Sequence, residues 1–183
     1  MKTLKETFEE YYMPYEVPCN NKKGFRIEYR YIGPWYVYSI EKKILNRKKC
    51  ILGISCVFST ICFFGAALQN CELNYAAYPM LFAMFSLAVF LFEWVGVVWF
   101  CVTKEKMTKY GFEEMHMILK IAPFLHAIML FFTAAACIFM IFMESLSFHT
   151  LLVPVLYFIS GMFSFVVFRI YKTISIDRVS NDK

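Results

Sequence analysis

The chain has 183 residues, of which 60% are hydrophobic and 21 are Phe, with a net charge of +5 and a mean hydropathy of +0.53. A soluble domain of this size has too little interior to hide so much apolar surface, which excludes an ordinary water-soluble globule. The positive charge calls for no nucleic-acid partner: basic residues beside anionic headgroups account for it, and no nucleic-acid-binding module is present.

Residues 1–49 form a polar preamble, basic and aromatic. Thr3-Leu-Lys-Glu6 is a capping box, and Leu4, Phe8, Tyr11 and Tyr12 share one face of a helix. This predicts a short amphipathic helix ending at Pro14 and Pro18. Phe25, Ile27, Tyr29 and Tyr31 then alternate with Arg26, Glu28 and Arg30. Period two predicts a half-buried strand. Gly33-Pro34 breaks it. Trp35-Tyr-Val-Tyr-Ser-Ile40 is a returning strand of a 25–40 hairpin or an irregular segment; the pattern leaves both open. Ten of the 49 residues are Phe, Tyr or Trp. Such residues suit a membrane interface or a protein partner, so Phe25, Ile27, Tyr29, Tyr31 and Trp35 are the candidate docking residues. Glu41–Lys49 is a basic collar.

Four apolar windows follow. Residues 50–68 carry no charge, 78–102 carry Glu93 alone, 121–143 carry no charge but include His126, and 151–168 carry none. Each is close to the ~20 residues that cross a bilayer as helix. The fold class predicted is all-α: four transmembrane helices, a cytoplasmic N-terminal segment with a short helix and a candidate hairpin, and a 169–183 tail. No apolar run precedes residue 50, so no cleavable signal peptide is expected and the first span acts as its own insertion signal.

Lys and Arg set the orientation. There are 11 in residues 1–49, 4 in 103–120 and 4 in 169–183, and none in 69–77 or 144–150. Both termini and the middle loop are thereby predicted cytoplasmic, in a multi-pass protein of the cell membrane. In the middle loop, Phe112, Met115, Ile118, Leu119 and Ala122 have helical spacing, which predicts an interfacial helix running into span 3. Pro123 and Pro154 fall in the first turns of spans 3 and 4 on these boundaries, where proline is tolerated. Lys outnumbers Arg 14 to 5, a bias of AT-rich genomes that suggests a bacterial source.

Glu93 and His126 are the intramembrane candidates. On these span boundaries Glu93 lies about 4.5 Å, and His126 about 9 Å, on the cytoplasmic side of mid-span. The two can therefore meet if spans 2 and 3 face each other, with Ser164 in span 4 as a further partner. An unpaired carboxylate at that depth costs several kcal/mol, so it turns inward and pairs. Such a pair is a structural pin or an ion-coupling site. Ser55-xxx-Ser59, Thr133-xxx-Cys137 and Ser160-xxx-Ser164 are small-residue patterns that let helices approach.

No CxxC occurs among the seven cysteines, and three histidines do not supply a two-haem bundle. Neither a metal site nor a cofactor is predicted, and no catalytic set is found. The leading expectation is a non-enzymatic accessory or scaffold subunit that offers its N-terminal segment to a membrane-protein partner. The alternative is a small oligomeric transporter or channel in which Glu93 couples protons or cations.

Overall fold

The computed structural model describes residues 4–19, 24–144 and 148–180. Helix α1 is Leu4–Tyr11, followed by strands β1 (Tyr12–Pro18), β2 (Phe25–Tyr31) and β3 (Trp35–Tyr38). The long helices are α2 (Lys42–Ala67), α4 (Ala77–Val102), α5 (Lys109–Glu144) and α6 (Leu152–Lys172). A single-turn helix α3 (Glu72–Tyr75) joins α2 to α4, strand β4 (Lys106–Thr108) precedes α5, and strand β5 (Ile176–Val179) follows α6.

The four long helices are long and apolar enough to cross a membrane. Helix is the form such segments take, because it satisfies each backbone N–H and C=O where lipid offers no partner. The helices outrun the apolar windows at one end. α2 begins at Lys42, α5 at Lys109, and α6 continues to Lys172. Pro123 therefore lies well inside α5, not in its first turn. Its missing N–H removes one bond to the carbonyl four residues back.

The long helices follow one another around the bundle in chain order, and the last packs back on the first. α5 packs between α4 and α6, α6 packs between α5 and α2, and α2 meets α4 more lightly. Two glycines permit the closest approaches between the long helices. A Cβ on Gly96 would lie 2.7 Å from Ile118 Cγ2, and one on Gly161 would lie 2.8 Å from Phe131 Cε1.

The predicted strand at 25–31 forms, but its partner is β1, not the 35–40 segment. β1 and β2 are antiparallel, with Tyr12 opposite Tyr31 and Pro18 opposite Phe25. The helix stops at Tyr11, and Pro14 and Pro18, expected only to end it, lie within β1. A two-stranded ribbon accepts proline because both its strands are edges.

β3 instead forms the centre of a second sheet, flanked by β4 and β5. Tyr36 is opposite Met107 on one side and Arg178 on the other. The sheet thus gathers the preamble, the middle loop and the tail at one end of the bundle, here termed the sheet end. All 19 basic residues belong to these three segments or the helix ends that join them. Tyr38 and Met107 are buried against the bundle together with Leu45, Phe100, Met115 and Tyr171, which supplies the apolar support that short strands need.

Lysines from the collar complete the sheet end. Lys49 Nζ donates to the carbonyls of Thr103 at 2.5 Å and Cys101 at 3.4 Å, at the C-terminus of α4. Lys48 Nζ donates to Thr173 O at 2.9 Å, at the C-terminus of α6. Cations at helix C-termini satisfy orphan carbonyls and oppose the negative end of the helix dipole. At the other end, Asn74 Nδ2 donates to Ala66 O and Gln69 O, closing the end of α2.

Candidate functional site

The predicted pair meets. His126 Nδ1 lies 2.5 Å from Glu93 Oε2, between α5 and α4. Ser164 Oγ of α6 lies 3.0 Å from the same ring nitrogen. Ser164 in turn lies 3.0 Å from Ser59 Oγ of α2. Ser59 and Ser160 then bond reciprocally across the α2–α6 contact: Ser160 Oγ donates to Ser59 O at 2.8 Å, and Ser59 Oγ donates to Ser160 O at 3.1 Å. A continuous chain of side chains, Glu93–His126–Ser164–Ser59–Ser160, so links all four long helices.

Every member is at most 1% exposed. With its proton on Nδ1, the His126 ring donates to the carboxylate and shares that proton with Ser164. Ser164 then donates onward to Ser59, and each hydroxyl proton has an acceptor. Two atoms are left over: Glu93 Oε1 and His126 Nε2 have no hydrogen-bond partner among the described residues. The imidazole sits among aromatic rings, with centroids 5.5 Å from Phe90 and 6.3 Å from Phe63.

The chain forms a polar layer between two apolar clusters. On the sheet side are Leu52, Cys56, Val97, Phe100, Leu119 and Val167. On the far side are Phe63, Leu130, Ala134, Cys137, Val153 and Tyr157. Helical spacing explains the layering: on α2, Cys56, Ser59 and Phe63 succeed each other every three or four residues along one stripe. A neighbouring contact, Trp94 Nε1 to Thr60 Oγ1 at 2.9 Å, joins α4 to α2.

Ser59 and Ser160 were not among the candidate site residues, although their small-residue spacing marked them as helix contacts. A hydroxyl at such a position packs and bonds at once, and the pattern alone does not separate the two. Ser86 and Thr133 bond back to carbonyls of their own helices and stay outside the chain. Among the described residues, no group of three or more His, Cys, Asp or Glu side chains converges as a metal site would require.

The five docking candidates divide. Phe25, Ile27 and Tyr29 are exposed at 38%, 55% and 56%, which departs from the half-buried face that alternation predicts. Tyr31 and Trp35 are half-buried and pack edge to face at 5.0 Å. Tyr31 accepts from the Lys109 backbone N–H at 2.9 Å and donates to Pro34 O at 2.8 Å, and Lys109 Nζ donates to Tyr11 OH at 2.8 Å. These two tyrosines fasten the ribbon to the start of α5. Gly33 lets both rings press against the backbone, since a Cβ there would lie 2.6 Å from Tyr31 OH and 2.7 Å from Tyr11 Cδ1. On the opposite face of the ribbon, Tyr15 donates to Glu28 at 2.8 Å. That bond, with Arg26 beside it, holds the Glu28 carboxyl below the usual range.

No protein-family model, curated protein sequence or solved structure matches this chain.

Proposed function

We propose that this is a multi-pass protein of the cell membrane, with the sheet end in the cytoplasm, that serves as a non-enzymatic accessory or scaffold subunit. The basic residues all fall on one side of a four-span chain, which supports the orientation. The observation that carries the subunit reading is the exposed apolar face of β2. Phe25, Ile27 and Tyr29 project from one face of a ribbon whose fastening to the bundle runs through Tyr11 and Tyr31. Contiguous apolar surface at an exposed site marks an interaction surface. The partner class is a membrane protein with a cytoplasmic apolar groove or sheet edge.

The test is F25S/I27S/Y29S. The variant should fold and insert like the wild type, because these side chains contribute little to the bundle. A second protein that co-purifies stoichiometrically with the wild type, read by native mass spectrometry, should be lost. Retention of the same complex by the variant would overturn the reading.

A second reading, Glu93 as the coupling carboxylate of an oligomeric transporter, draws on the unpartnered Glu93 Oε1 and His126 Nε2. The enclosure of the five-residue chain weighs against it. A conduction route needs a continuous polar face along several helices, whereas here the bonded residues form one layer between apolar clusters, and the buried Ser86 and Thr133 outside it are turned onto carbonyls of their own helices.

A further inference from the structure

Between the first part of α5 and the end of α6 lies a cavity of about 480 Å³, lined by His116, Lys120, Ile121, Phe124, Phe168, Tyr171, Lys172 and Ile174. That volume is within the range of small-molecule sites. Its position is at the boundary of the apolar zone. Lys120 is the last formal charge before the uncharged 121–143 stretch of α5, and Lys172 closes α6 after its own apolar run.

The lining is amphipathic in one direction. Lys120 and Lys172 lie at the rim, both exposed. The Lys172 ammonium lies 5.9 Å from the centroid of the Phe168 ring. His116 Nδ1 lies 2.9 Å from Tyr171 OH; when the hydroxyl donates to it, the ring's proton is on Nε2, a further donor for an anion. Beyond this rim Phe124 and Phe168 face each other at 5.1 Å, with Ile121 beside them, and continue toward the apolar zone. Among the described residues, no Asp or Glu lines the cavity.

We propose that this cavity is a binding site for an anionic phospholipid. Lys120, Lys172 and His116 hold the phosphate, and the acyl chains run along Phe124 and Phe168. Basic pockets between membrane helices at the headgroup level have the chemistry to take such lipids. The apolar wall is what favours a lipid over a free phosphate ion, which would leave those rings uncovered. The site is independent of the β2 face and stands or falls apart from the subunit reading.

The experiment is lipid retention by the full chain, released from nanodiscs of phosphatidylcholine containing phosphatidylglycerol and read by native mass spectrometry. The wild type should retain phosphatidylglycerol in preference to phosphatidylcholine. K120Q/K172Q should weaken that retention by about thirtyfold, on the order of fivefold per lysine. K120R/K172R should keep it, and so should K43Q/R47Q, which removes the same charge from exposed positions on α2 outside the cavity. Equal loss in K120Q/K172Q and K43Q/R47Q would overturn the site in favour of diffuse surface attraction. Displacement of the lipid by millimolar inorganic phosphate would overturn it in favour of a soluble anion.

Discussion

Replacing His126 with Leu isolates the carboxylate of Glu93. In the native chain that carboxylate is 1% exposed, and its bonded oxygen, Oε2, meets His126 Nδ1. Its other oxygen has no partner. H126L therefore leaves an ionisable group with no donor, in a layer bounded by apolar clusters on both sides. Removing one member of a buried pair costs about 3–5 kcal/mol, or about two to four decades in the folding equilibrium. E93L is the milder change. His126 keeps Ser164 at 3.0 Å, and only the charge-assisted bond is lost, at about 1–3 kcal/mol. E93L/H126L removes both members and fills the space with side chains of similar volume, which is neutral or stabilising in other buried pairs. The assay is reversible unfolding in lipid bicelles, run as a double-mutant cycle. The expected result is that the double variant is more stable than H126L and within about 1 kcal/mol of the wild type. A double variant as unstable as the sum of its single variants would refute the reasoning, because the cost of H126L would then come from lost packing and not from a stranded carboxylate.

Gly161→Val should destabilise the bundle by about 1–3 kcal/mol, since the new Cβ would meet the Phe131 ring at 2.8 Å and Ala127 O at 3.3 Å. Combining it with Phe131→Leu in the same unfolding assay should recover most of the loss; no recovery would place the strain elsewhere. The orientation is checked by applying a membrane-impermeant maleimide to intact cells and mapping the labels by mass spectrometry. N70C, at an exposed site on the loop away from the sheet, should be labelled, and the exposed native Cys19 only after permeabilisation. The reverse pattern would invert the protein in the membrane.

The legible parts of the site are those with a large penalty for being wrong. A carboxylate in a 25-residue apolar run has few stable environments, so depth along the helix put Glu93 within reach of His126 and Ser164, on the condition that their spans face each other. Ser59 and Ser160 carry no such penalty. A serine in a membrane helix satisfies itself on its own backbone, as Thr133 does with Met129 O, and only a facing partner redirects it. In the same way, alternation over Phe25–Tyr31 marked a strand but not its partner. The residues of β1 include two prolines and show no period, while β4 is only three residues long.

The amino-acid sequence by itself determines that four segments of this chain are apolar enough to cross a membrane, because the hydrophobic effect acts on composition and length before any contact forms. It also determines that every Lys and Arg falls before the first of those segments, between the second and third, or after the fourth. Only the tertiary structure decides which helices are neighbours: α2 lies against α6, far along the chain, and that contact joins Ser59, Ser160 and Ser164 into a bonded seam. It alone decides that β3 pairs with strands 68 and 138 or more residues away, as Trp35 does with Thr108 and Tyr38 with Ile176. Such pairings are between backbone groups that every residue carries, so no side-chain pattern announces them. They are fixed when the helices bring three short segments to the same end.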